Sequence, residues 1–84
     1  MVSNKDLIDT HEVAKILNIS VFSVRDYKKR GLIRIADKKG NKDLYNKADV
    51  LLRYSIITEM RRKDHSLSQI SSLIENELRQ RRVA

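Results

Sequence analysis

Three features of the sequence predict a mainly α-helical fold of winged helix-turn-helix type. A capped helix, a turn and a basic helix lie between Asp9 and Leu32, a polar loop at Gly40-Asn41 separates two short apolar runs, and two further helical apolar stripes follow. Asp9 and Glu12 have the spacing of a capping box, which starts the first helix at Thr10. Val13, Ala14 and Leu17 then share one face. Asn18-Ile19-Ser20 breaks that helix, and Ser20 is a good N-cap for the next. Gly31 stands where a left-handed residue closes the second helix.

Leu32-Ile33-Arg34-Ile35 is a strand candidate, and Leu44-Tyr45 can return as its partner. Between them Lys38, Lys39, Gly40, Asn41 and Lys42 form a polar tip, where Gly40 and Asn41 tolerate positive φ. This hairpin is the expected wing, residues 34–45. Its basic tip reads either as a contact to the sugar-phosphate backbone or as a solvated loop; its place after a basic helix favours contact. Asn46 caps a third helix over about Lys47 to Lys63. Its apolar residues Val50, Leu51, Leu52, Tyr54, Ile56, Ile57 and Met60 cover more than half the circumference, so this helix belongs in the core. Tyr54 and Met60 read as core residues. Asp64-His65 is a break, and Ser66 with Gln69 makes a second capping box. Leu67, Ile70, Ile74 and Leu78 form a narrow stripe that covers the core or faces a second subunit. The domain is expected to span residues 1–78. Residues 79–84, with Arg79, Arg81 and Arg82, read as a basic, partly disordered tail.

Composition bounds the function. An 84-residue chain makes one small domain, burying only about 60 to 65% of its unfolded surface. Its net charge of +7 favours a polyanionic partner. Base rises beyond residue 10: the first ten residues balance at −1, residues 11–30 at +3, and residues 31–49 and 50–65 at +2 each. Without cysteine there is no disulfide framework and no thiolate metal centre. No apolar run reaches membrane-spanning length and the start lacks a signal-peptide core, so a cytoplasmic, nucleoid-associated protein is expected. His11 and His65 have neither ligand spacing nor a Ser or Cys partner, and Gly31 and Gly40 make no phosphate loop. No enzyme site, metal or cofactor is expected.

ISVFSVRDYKKRGLI, followed by KGNKDLYNKADV and SLSQISSLI, resembles the DNA-binding domain of the MerR family of bacterial regulators over residues 7–78. Arg25, Tyr27, Gly31, Leu32, Tyr45 and Asp49 occupy the family's motif positions, and Leu67, Ile70, Leu73 and Ile74 its fourth-helix apolar positions. Two residues depart from it. Asp26 replaces an aromatic and Asp43 replaces a wing Arg, both where the family commonly touches DNA.

The resemblance implies that helix 20–30 enters the major groove while the wing follows the backbone. Ser20, Phe22 and Ser23 lie at the helix end that approaches base edges. Phe22 either meets thymine methyl groups or packs into the wing or a neighbour. Arg25 reaches phosphate or a guanine edge, and with Tyr27 the family use favours phosphate. Lys28 and Lys29, with the wing's Lys38, Lys39, Asn41 and Lys42, are backbone contacts or solvated. Arg61 and Arg62 complement their helix dipole and, by resemblance, also reach phosphate. Asp26 accepts from cytosine or, on the favoured reading, pairs with Arg25 or Arg30.

The expected function is sequence-specific DNA binding that regulates transcription by bending or untwisting the site. Expected partners are duplex DNA, a homodimer or head-to-tail assembly on it, and RNA polymerase. MerR dimers form through a long helix beyond the fourth, and this sequence ends at Ala84. It is therefore read as an excised N-terminal domain or a compact member acting without a ligand. An excisionase-like architectural factor is the alternative, and a protein-interaction module using the fourth-helix stripe is the second.

Overall fold

Each helix is bounded by local chemistry before any packing is considered. In the computed structural model, which describes residues 6–83 and the side chains of 6–81, α1 spans Thr10–Leu17, α2 Val21–Lys29, α3 Lys47–Arg62 and α4 Leu67–Val83. Side-chain oxygens of Asp9, Ser20 and Asn46 accept the N–H of the third residue in α1, α2 and α3, and Ser66 does the same for Gln69 in α4. Asp9–Glu12 and Ser66–Gln69 are reciprocal capping boxes, as the spacing predicts. The C-termini also share one device. Asn18, Gly31 and Asp64 take φ of 55°, 77° and 65° after α1, α2 and α3. Two backbone bonds then close each end, those after α2 being Gly31 N–H to the Lys28 carbonyl at 3.0 Å and Leu32 N–H to the Tyr27 carbonyl at 2.8 Å.

Three short strands form one antiparallel sheet in the order β1-β3-β2: β1 Leu7–Asp9, β2 Asp37–Lys39 and β3 Lys42–Asn46. Ile8 faces Tyr45 and Lys38 faces Asp43 in the register. Gly40, at φ 60°, fills the first position of the two-residue hairpin turn, where a type II′ turn favours glycine. The wing therefore starts later than expected. Leu32–Ile35 is not a strand, because the Leu32 and Ile33 N–H groups are both directed to the Tyr27 carbonyl and both side chains are buried. The ladder begins only when the Ala36 N–H reaches the Leu44 carbonyl at 2.7 Å. Strand β1 was not anticipated. At the other end, Arg79 and Arg81 continue α4 instead of entering a loose tail. Residues 1–5 and Ala84, and the Arg82 side chain, lie outside what is described.

Two apolar cores result. Val13, Ala14, Leu17, Val24, Ile33, Tyr45 and Val50 pack with Ile8 around the helix-turn-helix. Leu32, Ile56, Ile57, Met60, Ile70, Ile74 and Leu78 join α3 to α4, so the predicted fourth-helix stripe covers the core. Adjacent residues Leu32 and Ile33 enter different cores, and Tyr27 packs against both. The α3 surface differs from its apolar pattern, since Leu51 is exposed while Arg53 is 4% exposed. Arg53 donates from Nε to Asp49 at 2.9 Å, and from one terminal nitrogen to the Leu32 carbonyl at 3.3 Å and Glu75 at 3.2 Å. Glu75 also meets Arg34 at 3.0 Å. Among the described residues, no helix is long and apolar enough to cross a membrane.

A domain of this size has a total stability of about 4 to 12 kcal/mol. Arg53→Ala strands two carboxylates and a carbonyl, and should cost about 3 kcal/mol, the low end for a broken buried pair because Glu75 is 39% exposed. Arg34→Ala, at the exposed side of the same carboxylate, should cost under about 1 kcal/mol. Urea unfolding of the two variants checks the order.

Candidate nucleic-acid interface

The outward side of α2 is a single stripe. Val24 is buried, Val21 and Ile19 pack beside it, and the exposed positions are Phe22, Arg25 and Lys29, at i, i+3 and i+7. Ser20 and Ser23 sit at the helix start with their hydroxyls 3.1 Å apart, and Ser20 also accepts the Ser23 N–H. Phe22 is 83% exposed, so its ring does not pack into the wing. Arg25 faces the wing tip across a cleft of about 300 Å³, shared with Thr10, His11, Asn41, Lys42 and Asp43. Lys39, Asn41 and Lys42 are exposed at that tip, while Lys38 leans toward Asp43 at 3.9 Å.

Tyr27 lies on the other flank. It is half-buried, its ring centroid 6.5 Å from that of Tyr54 with the planes tilted by 34°. Burial raises its pKa, the neighbouring Tyr54 adds to the rise, and the positive charge of Arg61 opposes it. Arg61 and Arg62 are exposed at the end of α3, and the charge of Arg61 is felt at Tyr27 on α2. Burial likewise raises the pKa of Tyr45, whose hydroxyl lies inside the core with the Thr10 hydroxyl opposing the shift.

Both acids that interrupt the basic surface are paired internally. Asp26 accepts from Arg30 Nε at 2.9 Å within α2, one of the pairings expected for it. Asp43, only 16% exposed, accepts from Lys28 Nζ at 2.8 Å and ties β3 to α2. This contact was not foreseen. The sequence marks Asp43 as unusual, but its partner is fifteen residues away and becomes a neighbour only through the fold. Lys28 is thus directed to the wing, whereas Arg25 and Lys29 point outward from the same helix.

A family model described as a MerR HTH family regulatory protein matches residues 9–77. The chain belongs to the MerR family. A crystal structure of a MerR-family transcriptional regulator from Bacillus cereus is similar with a TM-score of 0.66 and 27% identity. The match covers 88% of this chain but 60% of that one. No curated protein matches in sequence. The matched residues take in both helices of the helix-turn-helix, the β2-β3 hairpin, α3 and most of α4.

The hydrogen bond to Lys28 lowers the Asp43 pKa, and the same bond raises that of Lys28. A depressed carboxylate stabilises the fold above its ordinary pKa of about 4 and loses that contribution as pH falls through the lowered value. A raised lysine contributes below about pH 10.4 and loses it as pH rises through the higher value. Asp43→Asn should therefore cost about 0.5 to 1 kcal/mol between these limits. Its difference from the parent protein should shrink in acid and in strong base. Thermal unfolding against pH checks both edges.

Proposed function

We propose that this chain is the DNA-reading part of a transcription regulator, gripping duplex DNA with α2 in the major groove and the wing on the backbone. One observation carries the reading. Exposed bases stand on three separate elements: Arg25 and Lys29 on α2, Lys39 and Lys42 on the wing, and Arg61 and Arg62 at the end of α3, with Lys42 across a cleft from Arg25 and the charge of Arg61 felt at Tyr27. Such a spread suits a duplex, whose phosphates lie on both sides of the groove that a helix enters. Arg25, Lys39, Lys42, Arg61 and Arg62 take phosphates, and Asn41 and the half-buried Tyr27 assist at the edges. Ser20, Phe22 and Ser23 are left near base edges. Lys28 and Lys38, held by Asp43, orient the wing more than they bind DNA.

Family membership supports the finer reading that two subunits occupy a pseudo-palindrome and bend or untwist it, the cost of deformation being offset by contacts from two helices and two wings. Regulation would then act on promoter geometry and on the RNA polymerase bound there. The primary test is affinity selection of fragmented genomic DNA at near-physiological salt, followed by sequencing. Inverted repeats support a symmetric pair on a promoter. Direct repeats overturn that in favour of head-to-tail architectural binding, and no retention of DNA at all overturns the function.

Arg25→Ala should weaken binding to every sequence and reduce the slope of log affinity against log salt by about 0.9, the share of one phosphate contact. Titrations across a salt series check it. A changed base preference with an unchanged slope would assign Arg25 to a base edge instead.

A further inference from the structure

Phe22 is unlike any other apolar residue on the described surface. Its exposure is 83%, whereas the other large exposed hydrophobics, Ile16, Ile35, Leu51 and Leu73, lie between 38% and 44%. Neither core includes the ring or packs it at its margin. A phenyl group fully presented to water carries a hydration cost that folding leaves uncompensated. It also stands in a defined place, the first turn of α2, in line with the exposed Arg25 and Lys29. A ring at the head of a cationic stripe is presented to whatever surface those cations bind.

We infer that Phe22 is a specificity residue that selects a pyrimidine carrying a C5-methyl group at one step of the bound site. This rests on the DNA-binding function proposed above. Major-groove edges are polar except for the thymine methyl, which is the apolar feature that a phenyl ring can cover there. Phosphates offer the ring nothing, and an α-helix is too wide for the narrower minor groove, where apolar wedges pry base steps apart. The cations beside Phe22 supply affinity for any sequence, and the ring supplies a preference between sequences. Because the selected group is the methyl itself, 5-methylcytosine at the same step satisfies the contact as thymine does.

The test replaces thymines one at a time with deoxyuridine, which lacks only the methyl, in the duplex recovered by affinity selection. The unaltered protein should lose about fourfold in affinity at one position per half-site, the effect of one buried methyl group. Phe22→Ala should bind the thymine and uracil duplexes equally, and Phe22→Leu should keep part of the difference. A uniform response to all uracil substitutions, with binding otherwise intact, overturns the methyl contact and leaves the DNA-binding function standing. An Ala variant that still discriminates thymine from uracil overturns it as well. Absence of DNA binding by the unaltered protein overturns both.

Discussion

The relative placement of the two cores depends on one buried cation. Arg53 lies inside α3 yet reaches three structures: Asp49 on its own helix, the Leu32 carbonyl in the segment leaving α2, and Glu75 on α4. A guanidinium has five N–H donors in a fixed fork, so its partners must hold their directions or leave donors empty in a dry site. The Leu32 carbonyl is the telling partner. Leu32 and Ile33 are where the chain passes from one core to the other. Fixing that peptide sets how the helix-turn-helix meets the α3–α4 pair. A hydrophobic replacement fills space without that directional demand, and in some proteins buried polar groups are kept for uniqueness of structure more than for stability.

The same reasoning explains why acids stand within a basic surface. Exposed ion pairs such as Arg81–Glu59, 2.7 Å apart at the far end of the molecule, add little net stability. Lys28–Asp43 differs because its carboxylate is mostly covered and because it joins α2 to β3, fifteen residues apart in sequence. The ladder with β1 and the buried Tyr45 anchor β3, and the charged tie at 2.8 Å adds a direct link from the wing to α2. Lys28 is thereby directed to the wing and not outward with Arg25 and Lys29.

The parts legible in the sequence are those written in neighbouring residues. Caps and left-handed stops lie within four positions of the ends they govern, so Asp9, Ser20, Asn46, Ser66, Asn18 and Gly31 mark boundaries directly. The α4 stripe follows from its 3.6-residue period. Apart from the continuation of α4 past Leu78, the missed features depend on distant pairing. Strand β1 has three residues, too few to show alternation, and exists because β3 returns beside it. Leu32–Ile35 has the apolarity of a strand but lies at a junction between cores, a distinction that periodicity alone does not make. Arg53 looks like a solvated position on an amphipathic helix until Glu75 closes over it. At the interface the residue types were readable, whereas the division between outward Arg25 and wing-directed Lys28 needed the third dimension.

The tilted pair Tyr27 and Tyr54 also has a practical use. The chain has three tyrosines and no tryptophan, so its near-ultraviolet emission comes from these rings alone. Tyr45 is sealed in the core, while Tyr27 and Tyr54 sit 6.5 Å apart where α2 approaches α3. Tyr27 packs against both cores and Tyr54 belongs to α3, so a rotation of one core against the other would alter their geometry. The molecule thus has an internal optical gauge of whether its two cores move against each other.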